Sequence, residues 1–112
     1  MDGKFQVRQI VHLQTAITYA SNVTIDFAQY ASARIDLTGN ITFALTGDLF
    51  GSHLWLRVKC DGTQRTLTFP GGWTFVGAAA PANIAANKTA ILELWSQGTT
   101  DSTIVARWTV QP

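Results

Sequence analysis

The sequence has little cysteine, little proline and little charge. Cys60 is the only cysteine, so no intrachain disulfide can form and no cysteine cluster can hold a metal ion. Charged residues make up 13% of the 112 residues, where an average domain has roughly a quarter. No apolar run approaches the roughly 18 residues that are typical of a membrane-spanning helix, and no secretory signal is predicted. A disulfide scaffold, a cysteine-based zinc domain and a helical membrane protein are therefore excluded.

The few charges are also scattered along the chain. Eight basic and seven acidic residues give a formal net charge of +1, so neither a nucleic-acid partner nor an anionic membrane is indicated. Apolar residues make up 46% of the chain. A small domain with so few charges has surface available for protein contact, which favours an oligomer or a component of an assembly.

Alternation of apolar and polar residues dominates what is present. The stretch HLWLRVKC places Leu54, Leu56, Val58 and Cys60 on one face of a strand and Trp55, Arg57 and Lys59 on the other. VTIDF, ITFAL and TIVARWTV alternate in the same way, and fifteen threonines suit strands. We predict an all-β, antiparallel β-sandwich, jelly-roll-like, of about eight short strands. Residues 1–112 form a single β domain, with 1–14 as an N-terminal arm or an extra strand.

Turn residues separate these strands. Asp61-Gly62 lies between two alternating runs and predicts a hairpin, because both residues accept positive φ. Pro70-Gly71-Gly72 ends the second run, since proline cannot donate a ladder hydrogen bond. The small residues from 77 to 90 predict a long loop that packs closely against its own domain or a neighbouring subunit.

The sequence offers no pattern that is typical of catalysis. His12 and His53 lack metal-ligand spacing, and no Gly-x-Ser-x-Gly nucleophile motif occurs. Glu93 is the only glutamate and alternates with leucines as an outward strand residue does. Cys60 continues an inward apolar series and is expected to be buried. We predict no enzyme activity, no cofactor and no bound metal.

Four tryptophans are the remaining candidates for recognition. Trp108 shares a face with Ile104 and Val110 and is expected in the core, whereas Trp55 and Trp95 suit an interface. A sugar-stacking platform is the alternative, with Trp55 or Trp73 exposed in a groove. Aromatic packing within the domain or between subunits and carbohydrate contact both stay open.

The second half of the chain carries a distinctive order of strands and turns. LTGNITFALTG is followed by LWLRVKCDGTQRTLTFPGGWTF, then by ANKTAILELWSQGTT and IVARW, over residues 37–108. This order resembles a β-rich module of tailed-phage virion structural proteins, which include head decoration (cement) proteins, head fibres and tail fibres. The family more often has Gly-Lys where this chain has Asn87-Lys88.

The resemblance implies a structural role in a virion. The short sequence has no long shaft of the kind that a fibre needs, which favours a capsid decoration protein on the outer surface of the head. By resemblance, such a protein is a homotrimer that binds the major capsid protein and stabilises the assembled shell. A tail-associated fibre, spike or adaptor module is the alternative, and a carbohydrate-binding module is a further one.

Three segments are candidate interfaces under this interpretation. The first is the outward row Trp55, Arg57 and Lys59, and the second is the loop with Pro81, Asn83 and Ile84. The third is the N-terminal segment from 4 to 12, where Lys4, Phe5 and Arg8 lie outside the resemblance and suit an attachment arm.

Overall fold

A computed structural model describes residues 15–26, 32–46, 53–98 and 103–112. These residues form ten strands, which confirms the prediction of an all-β chain and adds short strands to the predicted eight. The predicted N-terminal arm, with Lys4, Phe5 and Arg8, lies outside the described residues. The strands are β1 Thr15–Ile17, β2 Asn22–Asp26, β3 Ser32–Leu37, β4 Ile41–Thr46, β5 His53–Cys60, β6 Arg65–Thr68, β7 Thr74–Phe75, β8 Asn83–Ile84, β9 Thr89–Ser96 and β10 Ile104–Val110.

The strands form two mixed sheets, an arrangement compatible with a β-sandwich. One sheet has six strands in the order β1-β3-β5-β9-β10-β7, and the other has four in the order β2-β4-β6-β8. From β1 to β8, each strand lies in the sheet opposite to the strand before it. The chain therefore returns to each sheet only after crossing the other one.

This winding corrects the prediction of an antiparallel sandwich. In the described residues β1–β3, β3–β5, β2–β4, β4–β6 and β7–β10 pair in parallel. Only β5–β9, β9–β10 and β6–β8 are antiparallel, and a jelly roll is not confirmed. Parallel neighbours need a crossover, and in the first four of these pairs a single strand of the opposite sheet supplies it. Alternation did not reveal this, because a strand with one buried face has period two in either direction.

The inward side chains of both sheets form one apolar core. Leu54, Leu56 and Val58 of β5 are completely buried, as are Leu92 and Leu94 of β9. The four-stranded sheet contributes to the same cluster with the side chains Ile25, Ile41, Phe43 and Leu67. Each such side chain stabilises the fold by about 1.5–3 kcal/mol relative to an exposed one, before the loss of conformational entropy is counted.

The Asp61-Gly62 turn joins the two sheets. The prediction that this turn closes a hairpin is therefore wrong. β5 lies in the six-stranded sheet and β6 in the four-stranded one. Asp61 holds the turn by accepting hydrogen bonds from Arg65 Nε at 2.9 Å and from Arg65 Nη2 at 2.7 Å. Its backbone carbonyl accepts from Asn87 N at 2.8 Å. The hydrogen bonds of Asp61 thus connect the end of β5 with the start of β6, although the two strands are not hydrogen-bonded to each other as a pair.

Gly39 permits a contact between two turns. The Tyr19 hydroxyl donates to the Asn40 carbonyl at 2.6 Å, and the Asn40 Oδ1 accepts from Thr66 N at 2.9 Å. A Cβ on residue 39 would overlap the Tyr19 hydroxyl. Glycine is therefore required here for close approach, and it allows Asn40 to connect the segment after β1 with the start of β6.

The segment FPGGWTF is held by its aromatic residues. Phe69 lies at ring-centroid distances of 5.3 Å from Phe43, 5.8 Å from Trp73, 5.0 Å from Phe75 and 6.2 Å from Trp108. Trp73 is only 6% exposed, so the hypothesis that it lies exposed in a groove is wrong. Trp108 is partly buried and packs against the core. Both tryptophans serve packing, because the turn at Pro70 returns the chain over Phe69.

Asn87 adopts a left-handed backbone conformation in the turn before β9. Its φ is 65°, in the left-handed region that glycine adopts freely and that asparagine tolerates best among other residues. Residues 77–90, which were predicted to form one long loop, contain this turn, the two-residue strand β8 and the first two residues of β9. Asn87 and Lys88 then align β9 with the end of β5, where Cys60 N donates to the Lys88 carbonyl at 2.9 Å.

Candidate functional site

The outward side of the six-stranded sheet is the candidate site, and we refer to it as the outer sheet face. β5 places His53, Trp55, Arg57 and Lys59 on this side, while its other four residues are buried. The neighbouring strands β3, β9 and β10 add side chains by the same alternation. Those side chains are Arg34, Asp36, Ile91, Glu93, Trp95, Val105 and Arg107.

Trp55 lies in the middle of this surface and not at a sheet edge. The described pairings place it between Ser32 of β3 and Glu93 of β9. It is 48% exposed although both neighbouring strands are hydrogen-bonded to β5. The exposed valines Val76 and Val110 lie beyond β7 and at the end of β10. Of the exposed large apolar side chains in the described residues, Trp55 is therefore the one that lies at the centre of a sheet.

A stacked pair of aromatic rings, His53 and Trp95, lies beside Trp55. His53 and Trp95 occupy paired positions of β5 and β9, and their rings stack at 5.1 Å with an interplanar angle of 14°. Val105 of β10 lies opposite Trp95 on the other side. Rings at adjacent outward positions extend the apolar area around Trp55 toward the start of β5.

Two ion pairs on this face differ in quality. Arg107 Nε donates to Glu93 Oε1 at 2.9 Å, and the Glu93 side chain is 12% exposed. Arg57 Nη2 is 3.6 Å from Asp36 Oδ1, which is too long for a strong hydrogen bond. The Arg57 Nε is covered and has no hydrogen-bond partner in the described part of the chain. Arg107 is therefore well satisfied, whereas Arg57 retains an unused donor.

The structure places the predicted site residues in separate regions. Trp55, Arg57 and Lys59 lie together as predicted, on one outward row of β5. Pro81 is half-buried before β8, and Asn83 is exposed on β8, an edge strand of the four-stranded sheet. Ile84 is only 2% exposed and belongs to the core, so its assignment as an interface residue is wrong. A two-residue strand pairs with β6 there and turns Ile84 inward.

Sequence reasoning missed Arg34, which lies directly beside Arg57. The two arginines are register partners in the parallel pair β3–β5. The alternation in SARIDL could have identified β3 as a strand with Arg34 and Asp36 outward. Nothing in the alternation specifies that β3 lies next to β5, so the juxtaposition could not be predicted.

An open pocket of about 220 Å³ lies at the ends of β3 and β5. Its lining residues are Asp36, Leu37, Thr38, Lys59, Cys60 and Asp61. Burial, and then the negative charge of Asp61, raise the pKa of the Cys60 thiol. Cys60 Sγ donates to the Thr63 carbonyl at 3.1 Å. The thiol therefore stays protonated near neutral pH and acts as a buried hydrogen-bond donor, in agreement with the predicted burial.

The described residues contain no group of three or more histidine, cysteine, aspartate or glutamate side chains that could hold a metal ion. In the same residues no helix has the length and apolar character needed to cross a membrane. Compared with known protein families, curated proteins and solved structures, the chain gives no significant match.

Proposed function

We propose that the protein is a structural virion protein that decorates the head and binds the assembled shell through the outer sheet face. The observation that carries this proposal is Trp55, which is 48% exposed at the centre of a sheet, with Arg57 at the next outward position of β5 and Arg34 beside Arg57 on β3. Tryptophan and arginine are the residues most enriched among those that dominate protein–protein binding. The resemblance of residues 37–108 to a phage virion module supports the same interpretation.

The proposed activity is thermodynamic. A protein that binds assembled coat subunits and not free ones shifts the equilibrium toward the intact shell. We propose a homotrimer that contacts several copies of the major capsid protein. Modest contacts suffice in such an assembly, because each trimer engages several subunits at once and the second contact becomes intramolecular.

Purified virus particles from the source of the sequence test this proposal. An antibody against the protein is bound to intact particles and viewed by electron microscopy. Label over the shell supports decoration, and heads that lack the protein are then expected to lose their genome at a lower temperature. Label confined to the tail would replace this proposal with the fibre, spike or adaptor alternative, and unlabelled particles would contradict both.

A carbohydrate-binding module is the second candidate, because exposed tryptophan rings stack on sugars. The candidates for such a platform are Trp55 and the ring pair His53–Trp95, since Trp73 is buried. Glycan binding that is abolished by Trp55→Ala, in a variant with unchanged thermal unfolding, would favour this function over decoration.

A further inference from the structure

We infer that Arg57 and Arg34 form a recognition point for a carboxylate of the partner protein, next to the apolar contact that Trp55 makes. This inference deepens the proposed function, on which it rests, by specifying the chemistry of the partner. The surface patch that the partner segment covers consists of Arg34, Arg57, Trp55 and Ile91. The occupant is an acidic peptide segment with an apolar side chain beside its carboxylate.

The first argument is the register of the two arginines. Arg34 and Arg57 are direct neighbours on adjacent parallel strands, and both point outward. Like charges directly opposite each other destabilise a sheet. Asp36 is the nearby acidic residue, but its side chain is 72% exposed and its oxygen is 3.6 Å from Arg57 Nη2. Arg57 thus has one weak partner, and Arg34 forms no ion pair with another described residue, so a carboxylate from outside would complete the neutralisation.

The second argument is the unused donor of Arg57. Its Nε is covered and unpaired in the described residues, whereas its Nη2 only approaches Asp36. A buried donor without a partner is destabilising, so this conformation leaves hydrogen-bonding capacity unused. A small outward turn of the guanidinium would present Nε and Nη2 together to a carboxylate in the bidentate geometry that arginine favours.

Arg107 shows what a satisfied arginine on the same face is like. Its Nε is bonded to Glu93 Oε1 at 2.9 Å, so it needs no external anion. The difference between Arg57 and Arg107 is local, because β5 and β10, which carry them, are separated in the same sheet by β9 alone. The Arg34–Arg57 pair is therefore the part of this face that is incomplete without a partner.

Ile91 and Trp55 specify what accompanies the carboxylate. Ile91 is the β9 register partner of Arg57, and Trp55 lies one outward position along β5. An acidic side chain that reaches Arg57 would place its neighbouring residue over these two apolar side chains. A segment with alternating acidic and apolar residues matches this arrangement in both charge and spacing.

The test uses the full 112-residue protein and a blocked pentapeptide with a central leucine, two flanking glutamates and serine ends. Its glutamine counterpart is the matched control. Binding is followed, during titration at constant ionic strength, by the ¹⁵N–¹H signals of the Arg57 Nε group and of the Trp55 indole, and the indole signal serves for the Arg57 variant. We expect the glutamate peptide to bind about tenfold more tightly than the glutamine peptide, as a charge-assisted hydrogen bond requires. This difference is expected to disappear in Arg57→Gln.

Two further variants separate specific recognition from net charge. Lys88→Gln removes one positive charge away from the outer sheet face and is expected to keep the preference for glutamate. Arg34→Gln is expected to weaken binding of the glutamate peptide while leaving the melting temperature of the free protein equal or higher, because a like-charge contact is relieved.

Three results would overturn the inference. They are equal affinity for the two peptides, no binding of either, and saturable binding of inorganic phosphate that is tighter than that of the glutamate peptide. The peptide measurement needs no virus particle. Its failure therefore leaves the decoration proposal standing, and a failure of particle labelling leaves the carboxylate result standing.

Discussion

The outward faces of the two sheets differ in composition although both arise from the same alternation. The four-stranded sheet presents short polar side chains, and we refer to its outward side as the threonine face. Its members are Asn22, Thr24, Asp26, Thr42, Ala44, Thr46, Thr66, Thr68 and Asn83. Among its described residues, that face carries one charged side chain, Asp26, and no aromatic ring. The outer sheet face carries six charged side chains as well as Trp55, His53 and Trp95.

This difference separates surface that is suited to water from surface that is suited to a partner. Threonine and asparagine hydrogen-bond to water at little cost, and threonine also has a high propensity for strands. A half-exposed tryptophan and an arginine with an unbonded Nε are retained at a cost to the free protein. Binding of a partner would remove this cost. The threonine face is therefore suited to solvent, and the outer sheet face is suited to a partner.

The largest expected effect concerns the shared core that keeps the two faces back to back. Phe43 of the four-stranded sheet is 1% exposed and stacks on Phe69. We expect Phe43→Ala to lower the free energy of unfolding by about 3–5 kcal/mol, through lost burial and the cavity left behind. Urea unfolding followed by fluorescence and by amide hydrogen exchange in β5 measures this. Unchanged protection of β5 amides would mean that the sheets are stabilised independently.

A matched pair of substitutions tests the comparison of the faces directly. Trp55→Ala is expected to weaken binding to heads that lack the protein by about 30-fold, as for a residue that dominates an interface. Thr42→Ala, on the threonine face, is expected to leave that binding unchanged. Cosedimentation with particles gives both affinities. Equal losses for the two variants would show that the two faces do not differ in binding.

Asn87 tests the turn that places β9 beside β5 and so creates the outer sheet face. With φ at 65°, a residue with a plain Cβ is strained, and Asn87→Ala is expected to cost about 1 kcal/mol. Asn87→Gly is the control, because glycine relieves this strain and is expected to be no less stable than alanine. Thermal unfolding of the two variants decides the question. A more stable alanine variant would contradict the left-handed conformation.

The smallest expected effect is the pH dependence that Asp61 contributes. Hydrogen bonds from Arg65 lower the pKa of the Asp61 carboxyl below its ordinary value of 3.8. A lowered folded-state pKa means that the stabilisation is present above pH 3.8 and is lost as the pH falls through the folded-state value. We therefore expect Asp61→Asn to be less stable than the parent at pH 7, with a gap that narrows below pH 3.8. Urea unfolding at pH 7 and at a pH below 3.8 measures the difference in the free energy of unfolding between the two proteins. A difference that is larger in acid would contradict the lowered pKa of Asp61.

The sequence predicts which side chains of a strand point outward, but it does not predict which strands lie side by side in the outer sheet face. The alternation in β5 correctly predicted that Trp55 points outward and Leu56 inward. Register across strands is specified by crossovers and turns, so the pairing of Arg34 with Arg57 could not be predicted. Ile84 was misassigned because a two-residue strand has no period to detect. Asp61-Gly62 was misread because its side-chain bonds to Arg65 direct the chain into the other sheet.

The alternate winding of the strands has a consequence for synthesis on the ribosome. From β3 to β6, each strand pairs with the strand two places earlier, so its partner has already been made when it emerges. β5 is different, because its second neighbour β9 begins at Thr89, well after β5 ends at Cys60. Until β9 is translated, β5 presents an unpaired strand edge of the kind that promotes aggregation. Residues 89–112, about the last fifth of the sequence, therefore complete the larger sheet, and translation that stalls before them would leave the second edge of β5 unpaired.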